Sequence, residues 1–134
     1  MSDLTILITG ASRGLGAAAA RAAAQLGANV ALMARSAGDL ETVAEDVRRA
    51  GGRPLVIPGD VSRPEDDERA VAETLAHFGG LDAVVNNAGI LGPVAPLAQA
   101  EAAAWSENWA VNVLGPAMLT RAALPSLREP HGRV

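Results

Sequence analysis

A repeated alternation limits this chain most. Four short runs, residues 4–10, 29–34, 53–59 and 81–86, are dominated by apolar and β-branched side chains and end in glycine or a small turn. Runs without polar alternation read as strands buried on both faces, the habit of parallel sheets. Helical spacing fills the intervals. Residues 14–26 are alanine-rich without proline, and Gly27 is placed to end that helix. Ser36 and Asp39 read as a capping box before Leu40, Val43, Ala44 and Val47, and Gly51-Gly52 stops the helix. Ser62 and Glu65 repeat the box before Val71, Leu75 and Phe78, and Gly79-Gly80 follows. A long helix is predicted over about 100–124, kinked by Pro116. After a turn at Pro130 and His131, a fifth strand begins at Arg133-Val134. The order β-α-β-α-β-α-β-α predicts an α/β fold, a doubly wound parallel sheet with helices on both faces.

Composition narrows the class of function. At 134 residues, 49% hydrophobic and 19% charged, the chain suits one folded domain over 1–134 rather than a disordered segment. The net charge of −4 gives no reason to expect nucleic acid or an anionic membrane as a partner. No apolar run approaches the roughly 20 residues of a bilayer span. The first residues enter a strand without a basic leader, so the expectation is a cytoplasmic protein. With no cysteine, disulfides, thiolate metal sites and Cys nucleophiles are excluded. Tyrosine is also absent, and all 11 basic residues are arginine.

The sharpest local signal is the turn between the first strand and first helix, TGASRGLG at 9–16. A glycine-rich strand-to-helix turn brings backbone N–H groups and a helix N-terminus up to a phosphate. Gly10 permits the tight turn, Gly14 lets the backbone approach a pyrophosphate, and Gly16 allows the helix to pack closely. The spacing is G-x3-G-x-G, not the general G-x-G-x-x-G. Three further stretches stand on matching elements: GDVS at 59–62, NNAG at 86–89 and VNVLG at 111–115. With these four motifs in order, the chain resembles the short-chain dehydrogenase/reductase family. The resemblance covers the whole chain but about the first half of a typical member. It implies a Rossmann-like sheet, incomplete here at four strands plus the start of a fifth. It also implies a nicotinamide cofactor held by Gly10, Ser12, Arg13, Gly14, Leu15, Gly16, Asp60, Val61, Asn87, Ala88 and Gly89, with Asp60 meeting the adenine.

The end of the second strand faces the adenosine ribose in such folds, where an Asp or Glu favours NAD. This chain has Ala34 there, followed by Arg35. Arg35 suits a 2′-phosphate through charge-assisted, fork-shaped hydrogen bonds, and Arg13 adds a second positive charge. The plainer reading of both is as solvated surface arginines. Together they predict NADP(H) in preference to NAD(H).

By resemblance, the family moves hydride between nicotinamide and a carbonyl or alcohol substrate with Tyr, Lys, Ser and Asn. Of these the chain offers Asn112 as its catalytic candidate. A phenol with pKa ~10 needs nearby cations before it works as a base, and here neither the phenol nor the lysine exists. The expectation is therefore a cofactor-binding half, cut before the catalytic segment and inactive alone. The alternatives are a non-catalytic nucleotide-binding or interaction protein, or one chain of a split enzyme. Other candidates read as structural. His77 and His131 look solvated at a helix end and a turn. Glu65, Asp66, Asp67 and Glu68 look like a solvated helix start rather than a metal site. Trp105 and Trp109 share a helical face and suit the core or a subunit contact, and the resemblance implies a homo-oligomer through the helix over 100–124.

Overall fold

The computed structural model describes residues 4–127 and 132–134, so the readings of Pro130 and His131 lie outside the described residues. The strands are β1 Thr5–Thr9, β2 Asn29–Ala34, β3 Arg53–Pro58 and β4 Ala83–Val85. They form one sheet in the order β3-β2-β1-β4, with β1 parallel to β2 and β4 and β2 parallel to β3. Arg133 extends it by a parallel bridge to Ala83 on the outer side of β4. The fifth-strand reading at Arg133 thus has a physical counterpart. β3 lies at the other edge, where the missing N–H groups of Pro54 and Pro58 are tolerated.

The helices are α1 Gly14–Gln25, α2 Ala37–Ala50, α3 Pro64–Phe78, α4 Ala102–Trp109 and α5 Gly115–Leu127. Alternate strand residues feed two cores, as a two-residue side-chain period requires. Ile8, Val30 and Leu32 pack with α1 and α2 through Ala20, Leu40, Val43 and Val47. Leu7, Ala31, Met33 and Ile57 pack with α3 and α5 through Ala70, Val71, Leu119 and Ala123. The small alanines of α1 let it lie close on the sheet.

The irregularity of the long helix is a π-helical stretch, Ala110–Leu114, that joins α4 to α5 and ends just before Gly115 and Pro116, where proline takes an N–H out of the ladder. Two local expectations need correction. Ser62 does not cap α3: Arg63 is the N-cap residue, Pro64 follows at N1, and the Ser62 hydroxyl donates to Asp60. Asp67 is fully buried rather than part of a solvated face. The Ser36 cap is as expected, its Oγ accepting from the Asp39 amide at 3.3 Å.

Candidate nucleotide-binding cleft

The chain winds outward from β1 to β3, then crosses back to place β4 on the other side of β1. Loops leaving the carboxyl ends of the strands diverge there and leave a crevice, the usual ligand position in such sheets. A cleft of about 770 Å³ occupies it. Gly10, Ser12 and Arg13 come from the turn after β1, and Arg35 follows β2. Asp60 and Val61 follow β3, and Asn87, Ala88 and Gly89 follow β4. Gly14, Leu15, Gly16 and Asn112 do not line the cleft. Leu15 is 78% exposed on the first turn of α1.

The glycine turn is shaped by close approach on one side and openness on the other. A Cβ on Gly16 would run into the Gly10 carbonyl oxygen and stand 2.6 Å from Asn87 Nδ2. Gly14 has φ +57° and nothing within 4 Å of an added Cβ, so its surroundings are open. The residue before α1, Arg13, provides no side-chain cap, and the first turn carries no acid. That leaves helix-start N–H groups and the positive end of the helix dipole available to an anion.

The turn is stitched to the segment after β4. Asn87 Nδ2 donates to the carbonyls of Thr9 and Gly10, both at 3.1 Å. The Thr9 hydroxyl accepts from the amides of Asn87 at 3.1 Å and Ala88 at 3.0 Å. Thr9 is buried, and the sequence shows it as the first residue of the glycine motif without giving it a role of its own. The available signal was a hydroxyl at the end of an apolar strand, directly before a glycine.

Asp60 is held by its own loop. Its Oδ1 accepts from the Ser62 amide at 2.9 Å and hydroxyl at 2.7 Å, and its own amide donates to Asp66 Oδ2 at 2.8 Å. Burial opposes its ionisation. The Ser62 hydrogen bonds, with Arg35 and Arg63, outweigh that and hold the carboxyl below its ordinary value. Arg35 and Arg13 are exposed and form no ion pair with the described residues.

Asn112 lies in the π-helical stretch. Its Oδ1 accepts from the Ile90 amide at 2.8 Å and its Nδ2 donates to the Ile90 carbonyl at 2.7 Å. The side chain therefore ties the helix to the loop after β4, while its neighbour Val111 reaches the cleft wall. Ser106, Glu107 and Ala110 also line that wall, as does Asp39 near Arg35. Sequence patterning gives these four no site role, since α2, α4 and the π-helical stretch meet at the cleft only through the fold. Among the described residues, no three His, Asp or Glu side chains converge as a metal site would require.

Comparison with known proteins agrees with this geometry. The profile of the short chain dehydrogenase family matches residues 4–134. An 11-beta-hydroxysteroid dehydrogenase-like protein of Arabidopsis thaliana is 40% identical over 130 residues, covering 96% of this chain and 42% of its own length. A metagenomic short-chain oxidoreductase solved with NADP superposes with TM-score 0.90 at 37% identity, covering 95% of this chain and 57% of that one. An NADH-dependent reductase solved with NAD gives TM-score 0.87 at 30% identity, covering 96% and 55%. The chain spans about half the length of the relatives it matches. A match over nearly every residue, on a sheet with its cleft at the strand crossover, establishes that the chain belongs to the short-chain dehydrogenase family.

Proposed function

We propose that the chain is the nucleotide-holding part of an NADP(H)-dependent oxidoreductase acting on a small carbonyl or alcohol compound. The observation that carries the cofactor preference is at the cleft rim. Two exposed arginines, Arg13 and Arg35, stand there without ion-pair partners among the described residues, and Ala34 occupies the position where a carboxylate would serve a ribose hydroxyl. The cleft fits such a cofactor in its donor set. Gly10 and Ser12 in its wall, with the uncapped helix-start N–H groups of Gly14, Leu15 and Gly16 beside it, suit a pyrophosphate. Arg13 and Arg35 suit a 2′-phosphate. Asp60 and Val61 flank the adenine side, and Asn87, Ala88 and Gly89 the nicotinamide ribose side.

When bound, the nicotinamide supplies the hydride chemistry. This chain's residues bind and orient: the glycine turn fixes the phosphates, and Asn112 holds the Ile90 backbone beside the reacting end. The acid–base pair that the family resemblance calls for has no tyrosine or lysine to draw on in these 134 residues. The chain by itself therefore binds without turning over, and the reaction depends on residues it does not contain.

Titration of the 134-residue chain with NADPH and NADH, followed by calorimetry, tests this. NADPH should bind more tightly, and Arg35→Asp should lose about tenfold or more in NADPH affinity while relatively favouring NADH. Equal affinities unmoved by that substitution would refute the preference. Turnover of a carbonyl panel by this chain alone would refute its dependence on further residues.

A further inference from the structure

Asp67 sits where a charge is costly. It lies on the inner face of α3 with Ala70, Val71 and Thr74, is 0% exposed, and neither carboxylate oxygen has a hydrogen-bond partner. A buried, unpaired carboxylate is strongly unfavourable, so the group keeps its proton instead. The first turn of α3 concentrates more negative charge around it, with Glu65 and Asp66 on the same turn and Asp60 just before it. Among the described residues no cation pairs with it: Arg63, the N-cap of α3, and Arg35 act on Asp60. β1 and β2 carry no ionisable side chain. Arg53 of β3 stands at the far end of the sheet, over the Phe78 ring at 5.9 Å. Arg121 of α5 is exposed, with its guanidinium 4.0 Å from the Met118 sulfur. Arg69 is taken by Asp66 at 3.8 Å, Glu73 at 3.1 Å and the Pro58 carbonyl at 2.7 Å. Burial first, then Asp66, Asp60 and Glu65, push the Asp67 carboxyl up to about 7.

The same turn carries the cleft loop. Asp66 accepts from the Asp60 amide, and Arg69 holds Pro58 at the end of β3. Whatever seats the start of α3 on the sheet also sets where Asp60 stands. We propose that Asp67 is a proton-dependent latch on this loop. Neutral, it lets the first turn of α3 stay seated; ionised, it adds a buried charge against Asp60, Asp66 and Glu65, unseats the turn and loosens residues 59–62. This inference stands apart from the identity of any cofactor.

The sign follows from linkage. The closed form holds the proton up to about pH 7, whereas the opened form releases it near the ordinary 3.8. The Asp67 contribution to opening is therefore smallest below pH 4, grows by up to roughly tenfold per pH unit between these values, and levels off above. Asp60, whose carboxyl is held low, acts on the acid side of that window.

The test is amide hydrogen exchange of the 134-residue chain, corrected for intrinsic rates, at pH 5 and pH 7.5. Protection of the Asp60 and Ser62 amides should fall at least roughly tenfold in the wild type. It should stay flat in Asp67→Asn and Asp67→Leu, and α2 amides should not respond in any of them. Direct carbon NMR titration of the Asp67 carboxyl needs no variant and should show a midpoint near neutrality. A midpoint near 4, or the same loss of protection in both variants, would overturn the proposal.

Discussion

Glycines 14 and 16 look alike in sequence and do different work. Gly16 is defined by what it nearly touches, the Gly10 carbonyl and the Asn87 amide group. Gly14 is defined by its backbone angle, with open space around it. Gly16→Ala should therefore cost about 1–3 kcal/mol of stability by overpacking. Gly14→Ala should cost about 1 kcal/mol through its left-handed conformation. Urea unfolding of both variants checks the order, and equal losses would break the distinction. At this scale many of the residues that meet at the cleft were readable, because glycine spacing and an arginine after the second strand are chemical facts about residue types. The state of Asp67 was not. Four consecutive acids look the same whether they face water or the core, and only the phase of α3 against the sheet decides which is buried.

Elements were read with varied success, for identifiable reasons. The strands were legible because they are buried on both faces and so are apolar without interruption. Ser36 was legible as a cap because nothing else competes for its hydroxyl. Ser62 was not, because its hydroxyl is turned toward Asp60, two residues earlier, and α3 starts after Arg63 with Pro64 at its first position. The interruption of the long helix, expected at Pro116, takes the form of a π-helical stretch around Asn112 that ends just before that proline. That stretch has a visible anchor in the paired hydrogen bonds from Asn112 to Ile90. Asn112→Ala leaves both Ile90 backbone groups without their partners, and should cost about 1–3 kcal/mol. Exchange of the Ile90 amide should speed up well before global unfolding. An unchanged Ile90 amide would mean the helix holds its irregularity without the clamp.

For the whole molecule, the parallel sheet with helices on both faces was legible in the order of elements, while the strand order β3-β2-β1-β4 came from the structure. Full membership of the cleft came from the structure too, because Ser106 and Glu107 enter from a helix distant in sequence. The outer surface carries a separate signal. Trp105, Trp109 and Val113 recur four apart and are 54%, 62% and 44% exposed. The family resemblance implies a homo-oligomer through this helix, and the stripe lies on its exposed side. We propose that it pairs copies of the chain. Sedimentation of the wild type should show an oligomer, and the double substitution Trp105→Glu with Trp109→Glu should shift it to monomer. A monomeric wild type would remove this reading. Among the described residues, no helix is long and apolar enough to cross a membrane.

The stitch between Thr9 and Asn87 also bears on the order of events during folding. Its partners lie 78 positions apart, so the loop it closes spans more than half the chain. Closing so long a loop is entropically late work, whereas β1, β2 and β3 pair across much shorter separations. The half of the sheet with α1 and α2 can collapse while the glycine turn is still unclamped. On that ordering the turn is tied to β2 first, through the Ala11 amide and the Met33 carbonyl, and its bonds to Asn87 and Ala88 form only when β4 arrives.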